Sequence, residues 1–132
     1  HVIADLPWDD RLDVAETARI ISALPVTEVK LHSLYIVKGT KLSEMYEKGE
    51  VSLLPMEEYM ERAVLFLSYL RKDIVVQRMV GRASGGNTIT VNGGSPWWEV
   101  KDAIDRLLEE RNITQGCRCD YLDGSAVRRF LK

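Results

Sequence analysis

The sequence predicts an α/β fold with three or four mostly parallel strands joined by crossover helices. Short apolar runs rich in β-branched and aromatic residues alternate along the chain with segments whose apolar residues recur at helical spacing. The helical segments are long enough to connect parallel strands through right-handed crossovers. Both observations are typical of a parallel sheet with helices packed against it.

The first strand and helix are predicted from the amino-terminal residues. Residues 1–6 form a short apolar run, and Pro7 ends it. Asp9 or Asp10 then supplies an N-cap for a helix that Pro25 stops. The buried stripe of this helix is predicted at helical spacing: Val14, Ala18 and Ile21.

A second strand is predicted over residues 28–37. Alternation places Lys30, His32, Leu34 and Ile36 on one face and Val29, Leu31, Ser33 and Tyr35 on the other. A turn follows, and Thr40 is expected to cap a short helix over 41–48 that ends at Gly49.

The rest of the chain repeats this alternation. A helix is predicted from Pro55, with a stripe formed by Tyr59, Ala63, Phe66 and Leu70. A third strand is predicted over 74–80 and a short one over 88–91. The last helix is predicted to begin at Ser95-Pro96, and its buried residues are Val100, Ile104 and Leu107.

Composition limits the class of protein. The 132 residues are 45% hydrophobic and 29% charged, as in one soluble globular domain. The 18 basic and 20 acidic residues are mixed along the chain and give a formal net charge of -2, so no global attraction to nucleic acid is expected. No apolar run approaches the roughly 20 residues of a membrane span, and no secretion signal is visible, so a cytoplasmic location without membrane contact is expected.

The amino terminus suggests a cut fragment. The sequence begins at His1 directly on an apolar, strand-like run. An edge strand that has lost its neighbour is a template for strand addition, so we expect the fragment to self-associate.

Four strings carry a resemblance to a known family: HVIADLP at 1–7, VKLHSLYIVKGTKLSEMYEKGE at 29–50, EEYMERAVLFL at 57–67 and VVQRMVG at 75–81. Together they resemble radical S-adenosylmethionine (radical SAM) proteins, in particular the YhcC-like subfamily of Fe-S oxidoreductases. Oxygen-independent coproporphyrinogen oxidase and the Elongator catalytic subunit are more distantly similar. The resemblance covers about residues 1–115 and leaves 116–132 as a C-terminal tail.

The resemblance implies the C-terminal half of a (β/α)6 partial barrel, a TIM-like architecture. In that family a Cys-x3-Cys-x2-Cys loop holds a [4Fe-4S] cluster, which binds SAM and generates a 5'-deoxyadenosyl radical. Cys117 and Cys119 are too closely spaced and lie too late in the chain to replace that loop, so its ligands are expected upstream of residue 1. We therefore expect this chain to be inactive alone and to bind neither cluster nor SAM, with no metal site of its own.

The expected partners follow from the same resemblance. They are the N-terminal half of the same protein and an electron donor such as flavodoxin or ferredoxin. Similarity to the Elongator subunit makes tRNA a candidate substrate, and the basic residues Arg128, Arg129 and Lys132 could contact its phosphates. A solvated basic tail is the alternative and carries more weight.

Candidate site residues come from the strand ends. The resemblance implies that these ends border the SAM adenine and ribose, as in parallel barrels generally. Ile36, Val37 and His32 are therefore candidate cofactor contacts. Most relatives have Leu-Pro-Gly-Glu where this sequence has Leu6-Pro7-Trp8-Asp9, which departs at the glycine.

Candidate substrate contacts depend on which sheet face lines the barrel. Lys30 and His32 would meet substrate or SAM if their face is the lumen face. If that face looks outward, Lys30 is solvated and His32 is hydrogen-bonded beneath a helix. Gln77 and Arg78 point to opposite faces of the third strand, so one of the two should face the lumen.

Two further features have structural and functional interpretations. A zinc site would need His1, His32, Cys117 and Cys119 to converge, and unligated cysteines are the favoured interpretation. Trp97 and Trp98 are adjacent on a helix, so one is expected in the core and the other is free to meet a partner.

The leading hypothesis is therefore the C-terminal portion of a radical SAM enzyme, supplying later barrel strands and part of the SAM and substrate pocket. The rival hypothesis is a self-contained α/β module that binds a nucleotide or a protein without redox chemistry. The sequence upstream of His1 separates the two.

Overall fold

The computed structural model describes residues 1–83 and 86–120. Strands β1 (Val2–Ile3), β2 (Glu28–His32) and β4 (Val75–Arg78) form a parallel sheet in the order β1-β2-β4. Helix α1 (Arg11–Ala23) connects β1 to β2, and helices α2 (Lys41–Glu47) and α3 (Met56–Tyr69) lie between β2 and β4. The predicted α/β fold with parallel strands is confirmed.

The helices begin where capping chemistry places them. The Asp10 carboxylate accepts a hydrogen bond from the Asp13 amide at 2.9 Å, and the Asp13 carboxylate accepts one from the Asp10 amide at 2.8 Å. This reciprocal capping box satisfies two amides that have no partner within the helix. Thr40 caps α2 through its hydroxyl, as predicted, and prolines precede α3 and α4 (Trp97–Glu110).

The core lies between one face of the sheet and helices α1, α3 and α4. Val29 and Leu31 of β2 point into it, and the predicted α3 stripe of Tyr59, Ala63, Phe66 and Leu70 is completely buried. The core also includes Val14 and Ala18 of α1 and Val100 and Ile104 of α4. The periodicity of the sequence therefore identified the faces that are buried.

The predicted second strand, residues 28–37, is wrong in its extent. The parallel strand ends at His32, and the chain then leaves the sheet before forming β3 (Ile36–Val37). The physical reason is that polar groups of residues 33 and 34 form hydrogen bonds outside the parallel sheet. The Leu34 amide donates to the Asp5 carboxylate at 2.6 Å, and the Ser33 hydroxyl bonds to Asn92 and Gly81. Ile36 and Val37 are thus not the end of the parallel strand.

Strand β3 belongs to a second, two-stranded sheet. It pairs antiparallel with β5 (Thr88–Thr90), with Ile36 opposite Thr90 and Val37 opposite Thr88. A 3-10 helix over Asn92–Gly94 then leads into α4. The third predicted strand is shorter than expected, spanning Val75–Arg78 instead of 74–80, and the fourth spans Thr88–Thr90 instead of 88–91.

Within the described residues, none of the helices combines the length and the apolar character that crossing a bilayer requires. The predicted C-terminal tail lies largely outside the described residues, as does the whole of the basic cluster Arg128, Arg129 and Lys132.

Candidate functional site

One face of the parallel sheet carries polar side chains and is left largely open by the described helices. Since side chains alternate along a strand, Glu28, Lys30 and His32 point away from the core that Val29 and Leu31 enter. Register places Ile3 beside His32, Val75 beside Glu28 and Arg78 beside Lys30. Ile3 and Val75 are exposed there. We call this surface the open face.

His32 lies at the carboxyl end of β2 on the open face. Its ring stacks on that of His1 with centroids 5.0 Å apart, and the His1 Nδ1 and His32 Nε2 atoms are 2.9 Å apart at hydrogen-bond distance. Partial burial lowers the pKa of His32, and the charges of Arg78 and Lys30 lower it further. Its ring is therefore neutral at pH 7, with one donor and one acceptor nitrogen.

The three predicted substrate contacts lie near each other: Lys30, Gln77 and Arg78. They differ in how they are paired within the sheet. Lys30 and Arg78 are paired across β2 and β4 and are both half-buried. An irregularity in the register between Val29 and Lys30 leaves Gln77 as an additional residue, and its side-chain amide donates to the Glu28 carboxylate. Thus Lys30, His32 and Arg78 form one polar row in which Lys30 and Arg78 are cationic and His32 is neutral. Gln77 lies at the amino-terminal end of this row.

Ile36 and Val37 lie apart from this row, in the second sheet. Ile36 is completely buried, and 37% of Val37 is exposed. Contact of either residue with adenine stays a prediction.

A buried carboxylate follows β1 at the same carboxyl edge of the sheet. Asp5 is 3% exposed, and its Oδ1 accepts a hydrogen bond from the Leu34 amide. Burial raises its pKa from 3.8 to about 6, although the Leu34 hydrogen bond and the charge of Arg62 partly oppose the rise. Asp5 therefore ties the end of β1 to the segment that leaves β2.

The side chain of Arg62 on α3 bonds to the backbone that follows β1 at this edge of the sheet. Its guanidinium donates to the carbonyls of Ala4 at 3.2 Å and Asp9 at 2.9 Å and is paired with Glu58. Glu58 also accepts two hydrogen bonds from Arg11, and these contacts lower the Glu58 pKa to about 2. A buried arginine thus stabilises the turn after β1. This turn contains Trp8, the position at which the sequence departs from the Leu-Pro-Gly-Glu pattern.

A polar network closes the edge between β2 and β4. The Ser33 hydroxyl donates to the Asn92 side-chain oxygen and accepts from the Gly81 amide at 3.0 Å, while the Asn92 amide donates to the Gly81 carbonyl at 3.0 Å. A Cβ atom on Gly81 would lie 2.7 Å from the Ser33 carbonyl oxygen, so only glycine fits at this approach. The network fixes the position of the chain after β4, where Gly81 lies against Ser33 at the end of β2.

Sequence reasoning missed Asp5, Arg62 and this network. A signal existed for Arg62, which lies three residues after Tyr59 and four before Phe66 and so falls on the buried stripe of α3. Asp5 follows an apolar strand at its carboxyl end, where functional polar groups of parallel folds collect. Nothing local identifies the Ser33–Asn92 bond, because it joins residues 59 positions apart.

The described residues contain no group of three or more His, Cys, Asp and Glu side chains arranged to hold a metal ion. His1 and His32 meet, but Cys117 and Cys119 lie in the segment that follows α4. A [4Fe-4S] cluster that needs three thiolates does not fit the donors of residues 1–83 and 86–120. The predicted division of the two tryptophans is confirmed, since Trp97 packs on the core and Trp98 is 54% exposed.

The buried Asp5 predicts a pH-dependent term in stability. Between about pH 4 and 6 the folded state holds a proton that the unfolded state has released, so this term weakens the fold as pH rises. Replacing Asp5 by Asn should stabilise the chain relative to the parent by about 2–3 kcal/mol more at pH 7 than at pH 4. Urea unfolding at pH 4, 5, 6 and 7 measures this difference.

The exposed carboxylate Asp102 on α4 supplies the control for that experiment. Asp102→Asn should leave the pH profile of the parent unchanged. Parallel profiles for Asp5→Asn and the parent would mean that Asp5 does not titrate in this range.

Comparisons with known proteins point to one family. A family model described as the Radical_SAM C-terminal domain matches residues 26–110. The chain is 35% identical to the uncharacterized protein MJ0486 of Methanocaldococcus jannaschii over 123 residues, which are 89% of this chain and 37% of that protein. It is 33% identical to the uncharacterized protein YtqA of Bacillus subtilis over 120 residues, 88% of this chain and 36% of that protein.

A more distant relative is the protein YhcC of Escherichia coli. It is 23% identical over 113 residues, which are 86% of this chain and 37% of YhcC. The chain thus spans little more than a third of the length of the curated relatives it matches.

Proposed function

This chain belongs to the family of radical SAM C-terminal domains, and from that premise we propose that it forms one wall of the SAM and substrate pocket of a radical SAM enzyme. In this proposal β1 and β2 are later strands of a partial barrel. Upstream residues of the same protein supply the remaining strands and the cluster ligands.

The observation that carries this proposal is the open face. Helices cover one face of the parallel sheet, and the other presents Lys30, His32 and Arg78 beside the exposed Ile3 and Val75. In a (β/α) barrel the helices lie outside and the opposite strand face points to the lumen. Lys30 and Arg78 have no carboxylate partner among the described residues. Two such cations are costly on a packing surface but useful in a pocket that receives a polar ligand.

The described residues fit SAM better than they fit the family's other cofactor, the [4Fe-4S] cluster. The described residues offer no ligand set for the cluster. SAM, whose cleavage supplies the hydrogen-abstracting radical in this family, fits the carboxyl edge better. The half-buried, neutral His32 offers its Nδ1 there, because its Nε2 lies at hydrogen-bond distance from His1. The partly exposed Val37, beside the buried Ile36, is the proposed apolar contact with adenine.

The chain's own residues would position ligands in this pocket. Lys30 and Arg78 attract and orient an anionic group of the substrate, because neither forms an ion pair with a carboxylate in the described parts of the chain. Asp5, Arg62 and the Ser33–Asn92 network hold the surrounding segments, so they fix the pocket without touching the ligand.

The partners proposed for the whole protein follow from its chemistry. They are an electron donor such as flavodoxin or ferredoxin in the cytoplasm and the upstream part of the protein, which would cover Ile3 and the free edge of β1. Without that part, this chain is expected to self-associate through the same edge. A tRNA substrate remains a proposal that rests on resemblance alone.

The test uses the protein at its natural length, reconstituted anaerobically with iron and sulfide. With SAM and a strong reductant it should form 5'-deoxyadenosine, measured by mass spectrometry, and the same protein without iron should form none. A cluster-loaded protein that forms no 5'-deoxyadenosine above the iron-free control would contradict the proposal and favour a binding module.

A further inference from the structure

A small cavity lies between β4, an edge strand of the parallel sheet, and the first turn of α4. At this edge Arg78 borders both the cavity and the open face. The volume of the cavity is about 100 Å³, well below the roughly 300–1,000 Å³ of pockets that enclose a whole drug-sized ligand. Its polar lining consists of Gln77, Arg78, Arg82 and Lys101, and Trp97 contributes an aromatic wall. No carboxylate lines it. The cavity suits one compact anionic group.

Two of the three cations of this cavity, Arg78 and Arg82, have no carboxylate partner among the described residues. The Arg82 guanidinium lies over the Trp97 ring, 3.5 Å from its centroid, and this contact fixes a side chain that is otherwise exposed. Across residues 1–83 and 86–120, neither Arg78 nor Arg82 is paired with a carboxylate. Lys101 has a partner, Asp105, 2.7 Å away, but that carboxylate is exposed and lies one helical turn further on.

Like charges gathered around a partly enclosed space repel each other more strongly than they would in water. A bound anion removes that repulsion and accepts hydrogen bonds from all of them. Arginine forks match the oxygens of phosphate, and a lysine adds a point charge, so phosphate fits this set of donors better than a carboxylate does.

We infer that this cavity, the Arg78–Arg82 pocket, binds the phosphate group of a small molecule. The inference does not depend on the proposed radical SAM activity, because phosphate binding requires neither cluster nor SAM. Gln77 lines both this pocket and the cavity beside Lys30 and His1, so a molecule held here by its phosphate would extend toward the open face.

Isothermal titration of the protein at its natural length with inorganic phosphate tests the inference, with chloride keeping the ionic strength constant. We expect one site per chain with a dissociation constant near or below about 1 mM. Methyl phosphate forms the second arm: tighter binding of the ester identifies a phosphorylated metabolite as the ligand, and tighter binding of the free ion identifies phosphate itself.

Variants locate the site. Arg82→Gln and Arg78→Gln should each weaken binding about tenfold, since each loses a charge-assisted hydrogen bond. Arg106→Gln removes the same charge from an exposed position of α4 and should leave binding unchanged. Should Arg78→Gln fail to fold, the exposed Arg82 and the partly exposed Lys101 carry the test, with circular dichroism as the folding check.

Two results would overturn the inference. One is the absence of saturable heat with either phosphate up to about ten times the expected dissociation constant. The other is equal weakening by Arg82→Gln and Arg106→Gln, which would mean that phosphate senses only the general charge of the surface.

Discussion

Replacing Arg62 by alanine is expected to lower the free energy of unfolding by about 3–5 kcal/mol. Arg62 is 5% exposed, and its guanidinium supplies hydrogen bonds to the carbonyls of Ala4 and Asp9. Alanine would leave the Ala4 carbonyl without that donor in the interior and would remove one partner from Glu58. Chemical denaturation of the parent and the variant at pH 7 measures the difference.

Arg106→Ala on α4 provides the matched control, because it removes the same side chain from an exposed position. It should change the free energy of unfolding by less than about 0.5 kcal/mol. A cost of the same size for Arg62→Ala would show that the turn after β1 does not depend on the buried arginine.

Replacing His32 by alanine is expected to reduce 5'-deoxyadenosine formation by roughly 10- to 100-fold in the protein at its natural length, the loss that follows from one ligand hydrogen bond in a pocket. The melting temperature should change little, because His32 is only half-buried and lies outside the hydrophobic core. His32→Gln retains a donor and an acceptor and should recover part of the activity.

Glu109→Ala on α4 controls for a general effect of substitution. Glu109 is exposed and lies on a helix outside the open face. It should leave 5'-deoxyadenosine formation within about twofold of the parent. Unfolding of His32→Ala with unchanged activity per folded molecule would assign His32 a structural role.

The sequence predicted the family and the layers of this fold because both depend on local patterns. The apolar stripe of α3, the Asp10 and Thr40 caps and the alternation of Val29 and Leu31 with Lys30 and His32 are all visible in a short window. The family match over residues 26–110 includes three of the four strings that carry the resemblance, at 29–50, 57–67 and 75–81, and confirms it.

The end of β2 was mispredicted because tertiary bonds override a strong strand propensity there. Residues 33–37 have as strong a strand propensity as the residues before them. However, the Leu34 amide donates a hydrogen bond to Asp5, and the Ser33 hydroxyl bonds to Gly81 and Asn92. These partners lie 29, 48 and 59 positions away in sequence, beyond any local pattern.

The candidate site was also predicted only in part, because its local pattern is visible in the sequence and its strand pairing is not. Alternation correctly grouped Lys30 with His32, but the register irregularity that brings Arg78 beside Lys30 and displaces Gln77 arises from strand pairing. The Arg78–Arg82 pocket likewise depends on α4 bringing Trp97 and Lys101 against β4. Such convergence cannot be read from spacing along the chain.

Photolabelling with 8-azido-S-adenosylmethionine tests the central claim most directly, because it reports which residues border the adenine. In the reconstituted protein at its natural length, trypsin cleavage after Lys30 and Lys38 isolates residues 31–38, which contain His32, Ile36 and Val37. We predict that this peptide carries the label and that excess SAM abolishes the labelling. SAM-protected label found only outside residues 1–132 would contradict the claim that this chain forms a wall of the SAM pocket.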